Sequence, residues 1–202
     1  MPVILFATRN HFKARLFEVS FRAYGFEMMT LDETSILSEP FIETGKTAVE
    51  NALAKTRAYH CESHPWVFGD DAGLEIDALN GEPGLQARRW NGLFPDDVDD
   101  RTWLNHLLDQ LKDVPMEKRT AAFVSGWALI TPDGSEYIHE MRSKFKIATQ
   151  PIRPISPGSP ITAVRVGPLD DLNHRRSQIL EEWRRWGILE KLRTSSMYHP
   201  GY

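Results

Sequence analysis

The chain has 202 residues, of which 41% are hydrophobic and 26% are charged, and its 24 Lys and Arg against 28 Asp and Glu give a net charge of −4. This composition is typical of a globular protein with a substantial core, and it excludes disordered and collagen-like chains. The acidic balance argues against a nucleic-acid-coating protein, which needs a basic surface, and leaves room only for a local anion site.

Cysteine usage and apolar runs indicate the compartment. A single cysteine, Cys61, cannot form an internal disulfide, so nothing marks an oxidising environment. The first residues lack the basic region of a secretory signal, and no apolar run approaches the roughly 18 residues that span a bilayer. We therefore expect a cytoplasmic protein with no membrane or nucleic-acid partner. Cys61 is predicted to be inert, because the sequence places no histidine or basic pair to lower the pKa of its thiol.

The chain opens with a predicted strand–turn–helix unit. An unbroken apolar run at residues 3–7 is typical of a strand buried on both faces. Apolar side chains then recur every three or four positions over residues 13–24, and Gly25 follows as a helix-end signal. A second strand is predicted at residues 26–31.

The second predicted helix, at residues 47–60, has an apolar stripe and a separate polar face. Thr47, Asn51 and Lys55 stand four positions apart, so all three lie on that polar face. A loop carboxylate beside such a face, here Glu43, can ligate a cation and meet a polyphosphate.

The later elements are predicted from periodicity and turn residues. They are strands at residues 66–69 and 74–79 around an Asp-Asp-Ala-Gly break, a helix at 98–111, a hairpin of 121–130 and 136–148, and a helix at 175–192. Prolines interrupt regular structure between the hairpin and the last helix. We expect one domain over residues 1–193 and a flexible tail at 194–202.

The turn after the first strand, residues 8–13, is the first candidate site. Backbone N–H groups at the start of a helix lie at the positive end of its dipole and bind phosphate. Thr8 and Asn10 can add hydrogen bonds, and Lys13 can add a mobile cation. The turn has none of the glycines of a Walker or dinucleotide loop, so an ordinary Thr/Asn turn with an exposed lysine is the alternative.

Three carboxylates form the second candidate. Mg²⁺ prefers oxygen ligands and keeps several waters, so one or two of Glu43, Asp70 and Asp71 would suffice together with substrate oxygens. A carboxylate beside the ion can also orient or deprotonate an attacking water. Adjacent residues of a strand point to opposite faces, so only one aspartate would normally reach a given site. The alternatives are surface charge at Glu43 and a plain Asp-Asp-Ala-Gly turn.

A basic cluster at the start of the last helix is the third candidate. His174 and Arg175 carry a donor and a cation that suit phosphate or a purine carbonyl. A capping cluster on the surface explains the same residues equally well.

Three segments are more specific together than apart: residues 6–13, 43–55 and 69–84. In this order they resemble the non-canonical purine (inosine/xanthosine) triphosphate pyrophosphatase family. The resemblance implies an α/β fold with a long, twisted mixed sheet flanked by helices, in two lobes with a central cleft, usually as a homodimer. It also implies Mg²⁺-dependent hydrolysis of nucleoside triphosphates to monophosphate and pyrophosphate, which removes deaminated purines from the nucleotide pool.

The resemblance assigns roles by position. Asp71 would bind Mg²⁺ with Glu43 and would be the base for the attacking water, and Asp70 is a candidate second metal oxygen. The residues predicted to contact the substrate are Thr8, Asn10, Lys13, Asn51, Lys55, His174 and Arg175.

Departures from the family pattern affect base recognition. Phe12 stands where the family has a glycine, and Ala72 stands where it has a serine. The family's Gly-Phe-Gly-Tyr-Asp-Pro segment, which helps to bind the nucleotide, has no counterpart, and residues 157–166 stand in its place. A lysine usual before the His-Arg pair is absent as well. We therefore expect retained hydrolysis, with inosine- and xanthosine-type triphosphates as the leading substrates. The alternatives are an altered base preference, a pyrophosphatase for another nucleotide, such as a modified pyrimidine, and a non-catalytic nucleotide-binding homologue.

Overall fold

A computed structural model describes residues 1–34, 41–167, 171–188 and 190–191, with the side chains of Leu16 and of residues 171–177 outside the description. The helices are α1 (His11–Ala23), α2 (Ala48–Tyr59), α3 (Asp100–Gln110) and α4 (Asp171–Arg185). The strands are β1 (Val3–Phe6), β2 (Glu27–Thr30), β3 (Val67–Ile76), β4 (Pro83–Gly84), β5 (Thr120–Ile130), β6 (Glu136–Ile147) and β7 (Arg165–Val166).

The strands form a mixed seven-stranded sheet in the order β2-β1-β3-β5-β6-β7, with β4 paired to β3. β1 runs parallel to both β2 and β3, whereas the β3–β4 and β6–β7 pairs are antiparallel. This arrangement confirms the predicted α/β class. Within the described residues, no helix combines the length and the apolar character needed to cross a membrane.

The chain divides into two compact units. The first contains residues 1–70, 127–139 and 169–202, and the second contains residues 71–126 and 140–168. The single domain over residues 1–193 stays a prediction. The predicted tail at 194–202 lies outside the described residues.

An aromatic cluster holds the core of the first unit. Phe21 of α1 stacks on Trp183 of α4 with ring centroids 5.1 Å apart, and both side chains are fully buried. Phe6 and Phe68 pack against the same face of α1. These contacts join β1, β3, α1 and α4 in one core. Each such ring pair stabilises the fold by about 0.5–1.5 kcal/mol beyond the burial of its apolar area.

The last helix differs from its prediction in its bounds. It begins at Asp171, four residues earlier than predicted, and breaks after Arg185, although residues 188 and 190–191 are helical again. Gly187, with φ of +66°, explains the end, because a left-handed residue terminates helical geometry. Ile179 and Trp183 are buried in the core, whereas Leu180 and Trp186 are half-buried.

The core of the second unit lies beneath α3. Trp103, Leu104 and Leu107 of this helix are buried together with Leu74, Ile76 and Ile147 of the strands. Arg119 provides hydrogen-bond donors for backbone carbonyl groups after α3. Its guanidinium donates to the carbonyl oxygens of Leu111 (2.6 Å) and Val114 (2.9 Å).

The predicted break at Asp-Asp-Ala-Gly is wrong, because β3 runs without interruption from Val67 to Ile76. Turn statistics describe isolated segments. Here β3 pairs with β1 near one end and with β4 near the other, and the carboxylate between them is satisfied by side chains distant in sequence, so the strand continues through Asp70. Gly73 has no β-carbon, and one built there would lie 2.9 Å from the carbonyl oxygen of Gly84, so the β3–β4 pair also requires a glycine.

Gly69 sets the distance between β3 and α2. A β-carbon at this position would lie 2.5 Å from the carbonyl oxygen of Ala52 and would also collide with Oγ1 of Thr56, both on α2. Real β-carbons do not approach other heavy atoms that closely. The strand therefore packs on the helix at a position that only glycine can occupy.

Gly69→Ala should lower the free energy of unfolding by about 3 kcal/mol through overpacking, which corresponds to a Tm lower by about 6–12 °C. Gly25→Ala is the matched control, because Gly25 has φ of +83° and open space around it. Its backbone strain should cost about 1 kcal/mol, or about 2–4 °C. Thermal melts of both variants test the expectation, and equal Tm values would show that the contact with α2 does not require glycine.

Candidate functional site

The register of the parallel strands brings two candidate segments to one edge of the sheet. Phe6 of β1 pairs with Phe68 of β3, and the N–H of Ala7 donates to the carbonyl oxygen of Phe68 at 2.8 Å. The turn after β1 therefore lies beside residues 69 and 70. Ligand sites of parallel α/β sheets form at this carboxyl edge.

The turn after β1 is closed by its own side chains. Oδ1 of Asn10 accepts from the backbone N–H groups of Phe12 (2.9 Å) and Lys13 (3.1 Å), which makes Asn10 the N-cap of α1. Oγ1 of Thr8 accepts from the N–H of Asn10 at 3.1 Å. The expectation of unpaired N–H groups in this turn is therefore wrong for these three, because Asx and Thr side chains occupy them.

Lys13 is not an exposed lysine. Its Nζ lies 2.8 Å from Oδ2 of Asp70, and Asp70 is only 5% exposed. The other carboxylate oxygen, Oδ1, accepts from the indole N–H of Trp127 at 2.9 Å. A buried carboxylate needs such partners, because an unpaired buried charge is strongly destabilising.

Trp127 is the residue at this site that the sequence analysis missed. It belongs to β5 and lies 57 positions from Asp70, so no local pattern joins the two. The available signal was chemical: a tryptophan in an apolar strand that is buried needs an acceptor for its indole N–H.

Glu43 and Lys55 form a second ion pair in the same unit. Oε1 of Glu43 lies 2.6 Å from Nζ of Lys55, and that ammonium also reaches the backbone carbonyl oxygen of Asp70 at 3.5 Å. Both side chains are largely shielded from solvent. Lys13 and Lys55 therefore meet the same strand residue, one at its carboxylate and one at its carbonyl.

The start of α2 fixes the segment that carries Glu43. Oδ1 of the buried Asn51 accepts from the N–H of Gly45 at 2.7 Å. Thr47 caps the helix by accepting from Glu50 N–H, and Glu50 in turn accepts from Lys46 N–H. A β-carbon on Gly45 would lie 2.5 Å from Oδ1 of Asn51, so this hydrogen bond requires glycine there. Asn51 thus anchors the loop that precedes α2.

The two ion pairs are balanced in charge. Two ammonium groups, Lys13 and Lys55, face two carboxylates, Glu43 and Asp70. Within the described residues, no three His, Cys, Asp or Glu side chains come close enough together to hold a metal ion. The available donors are oxygens, which fits a hard cation that completes its coordination with water and substrate.

The remaining predicted residues are placed as follows. Asp71 follows Asp70 on β3, begins the second unit and is 5% exposed. His174 and Arg175 belong to the backbone of α4, and their side chains lie outside the described residues.

The chain is similar to known proteins in both sequence and fold. A model of the Ham1 family matches residues 4–155. A dITP/XTP pyrophosphatase of Corynebacterium efficiens is 40% identical over 126 residues, 62% of this chain and 59% of that protein. A dITP/XTP pyrophosphatase of Mycobacteroides abscessus is 40% identical over 152 residues, 73% of this chain and 71% of that protein. The chain thus spans less than two thirds of the length of the first relative.

The structural comparison agrees with the sequence comparison. The crystal structure of a nucleoside-triphosphatase / dITP/XTP pyrophosphatase from Mycobacterium abscessus matches with a TM-score of 0.64 and 34% identity. The match covers 89% of this chain and 97% of that chain. The likeness therefore extends well beyond the three segments on which the resemblance rested.

The expectation that nothing lowers the pKa of the Cys61 thiol is wrong. The chain bends so that Cys61 and His64 form an isolated β-bridge, which brings Sγ of the exposed thiol to 3.2 Å from Oγ of Ser63 and 3.5 Å from Nδ1 of His64. Hydrogen bonding by Ser63, and then by His64, lowers the pKa of the thiol to about 7. A histidine three positions after the cysteine was visible in the sequence, but the bend was not.

Alkylation of Cys61 by iodoacetamide should follow thiolate formation, with a midpoint near pH 7. As the only cysteine, Cys61 is labelled without competition. Ser63→Ala and His64→Ala should each move the midpoint upward, toward the ordinary range of a thiol. Rates measured between pH 5 and 10, identical in the wild type and both variants, would contradict this account.

Proposed function

Because the chain belongs to the Ham1 family, we propose that it hydrolyses non-canonical purine nucleoside triphosphates to nucleoside monophosphate and pyrophosphate. The two relatives above are called dITP/XTP pyrophosphatases, which supports this substrate class. The observation that carries the proposal is the meeting of Lys13 and Lys55 at Asp70. Two ammonium groups beside carboxylates, at the carboxyl edge of parallel strands, suit a polyphosphate.

We infer that the triphosphate is held by cations more than by backbone N–H groups. Lys13 and Lys55 offset its charge, and the positive end of the α1 dipole adds to this field. Asn10 and Thr8 already use their oxygens to close the turn, so their main contribution is to hold Lys13 in place. Asn51 contributes in the same way by anchoring the loop before α2.

We propose Mg²⁺ as the cofactor, held by one or two carboxylates among Glu43, Asp71 and Asp70, with water and substrate oxygens completing its coordination. When bound, a divalent cation neutralises phosphate charge and stabilises the leaving pyrophosphate. Glu43 is held beside Lys55, and Asp70 retains acceptor capacity because a carboxylate offers about four lone-pair sites. The donor set thus fits a hard cation.

The hydrolytic step needs a base for water. We propose that the Asp71 carboxylate accepts a proton as the water oxygen attacks, while the bond between the α- and β-phosphates breaks and pyrophosphate leaves. Lys13 and Lys55 stabilise the charge that develops on the phosphates. Fixed charges of this kind need no reorganisation during the reaction.

An altered base preference is the alternative, since the family's base-binding segment has no counterpart. Contact of His174 and Arg175 with the purine stays a prediction. The homodimer and the cytoplasmic location that the resemblance implies also stay predictions.

Pyrophosphate release measured with Mg²⁺ across inosine, xanthosine, canonical purine and pyrimidine triphosphates tests the proposal. We expect the fastest release from an inosine or xanthosine nucleotide. Asp71→Asn should lower the rate by about 10² or more, because a general base is lost. Asp97→Asn, at an exposed carboxylate, is the matched control and should retain the wild-type rate.

Each other outcome has a definite meaning. Faster pyrophosphate release from a pyrimidine nucleotide would show that the enzyme prefers a pyrimidine base. Nucleotide binding without pyrophosphate release would favour a non-catalytic homologue. Turnover by Asp71→Asn within a few-fold of the wild type would reject Asp71 as the base.

Glu43→Gln should raise the Mg²⁺ concentration that gives half-maximal rate by about 10-fold or more, because an anionic ligand is lost. Glu117→Gln, at an exposed carboxylate, is the control. A Mg²⁺ titration of the initial rate measures both. If Glu43→Gln keeps the wild-type Mg²⁺ dependence, Glu43 is not a ligand.

A further inference from the structure

We propose that Trp127 is a positioning residue, whose indole N–H fixes the Asp70 carboxylate so that Lys13 is presented to the triphosphate. The inference rests on the proposed function. It assigns to Trp127 of β5 a part in the site that the three motif segments do not contain.

The contacts form a continuous series. Trp127 is 1% exposed, and its Nε1 donates to Oδ1 of Asp70 at 2.9 Å. The opposite oxygen, Oδ2, lies 2.8 Å from Nζ of Lys13. Because the two oxygens of a carboxylate share one plane, fixing one of them fixes the direction in which the other points.

The indole is itself held on two sides. The ring of His139 stacks on it with centroids 5.4 Å apart and an interplanar angle of 23°, and Phe17 of α1 meets its edge at 6.2 Å. Nδ1 of His139 lies 4.0 Å from Oε2 of Glu182 on α4. Rotation of the indole would break these contacts, so its N–H has one direction available.

The lysine alone would not hold this geometry. An ammonium group on four methylenes is a flexible point charge with three rotatable donors, and it does not define the plane of a carboxylate. The indole N–H is a single rigid donor in a packed side chain. An aliphatic residue at position 127 would fill space but would leave the Asp70 carboxylate free to turn, and Lys13 with it.

The test uses Trp127→Phe, which keeps an aromatic ring and removes the donor. Binding of inorganic tripolyphosphate, measured by calorimetry, should weaken by about 10-fold, the loss expected for one hydrogen bond to a charged group. With the preferred nucleotide, KM should rise by a similar factor while kcat changes less. Trp66→Phe is the matched control, since Trp66 is buried in the same unit and contacts Phe26.

A double-mutant cycle separates positioning from general packing. In a Lys13→Met background, Trp127→Phe should cause no further loss of tripolyphosphate affinity, because the group it positions is gone. An equal loss in both backgrounds would overturn the proposal. So would wild-type affinity in Trp127→Phe, and so would a wild-type chain that does not bind tripolyphosphate.

A measurement on the wild-type chain covers the case in which Trp127→Phe does not fold. The indole ¹H–¹⁵N resonance of Trp127, assigned by its contacts with His139, should shift when tripolyphosphate is added, and the shift should disappear in Lys13→Met. An unmoved indole resonance in a chain that binds tripolyphosphate would overturn the proposal. Absence of nucleotide turnover with these binding results intact would instead reject only the proposed function.

Discussion

The contact between β3 and α2 at Gly69 is the constraint on which the site depends. With no side chain at this position, the strand lies against the carbonyl oxygen of Ala52, and the next residue, Asp70, comes within reach of Lys55. The parallel register of β1 and β3 then brings the turn that carries Lys13 to the same residue. One glycine on a central strand thus allows a helix lysine and a turn lysine to converge. A larger residue would separate the helix from the strand and would take Lys55 with it.

Much of the fold could be predicted from sequence because its signals are local. β1, α1 and α2 follow from apolar runs, helical periodicity and capping residues that are close in the chain. The strand through Asp70 was mispredicted because the residues that pair its carboxylate, Lys13 and Trp127, are 57 positions away from it in both directions along the chain. The bend that brings His64 to Cys61 is short in sequence, but its geometry depends on backbone bridging that composition does not reveal.

The candidate site divides in the same way. Its residue types, the cations and the carboxylates, were all visible in the sequence. Their pairing was not visible, and it decides which groups remain available to a ligand. Lys55 forms an ion pair with Glu43, and the side chain of Asn10 caps α1. Partnered charges are stable when buried, because each offsets the desolvation of the other. A site assembled from balanced pairs can therefore be shielded from water before any substrate arrives.

The internal cap of α1 also bears on the entropy of binding. A Thr–Asn turn whose side chains already hold its own N–H groups has few conformations left to lose. Ordering a flexible loop around a ligand opposes association, and a preformed loop avoids that loss. The conformational entropy of this turn is already lost when the protein folds, before a ligand binds. The sequence has no glycines there, in contrast to phosphate loops whose backbone wraps the ligand, because the side chains of Thr8 and Asn10 help to hold this turn in shape.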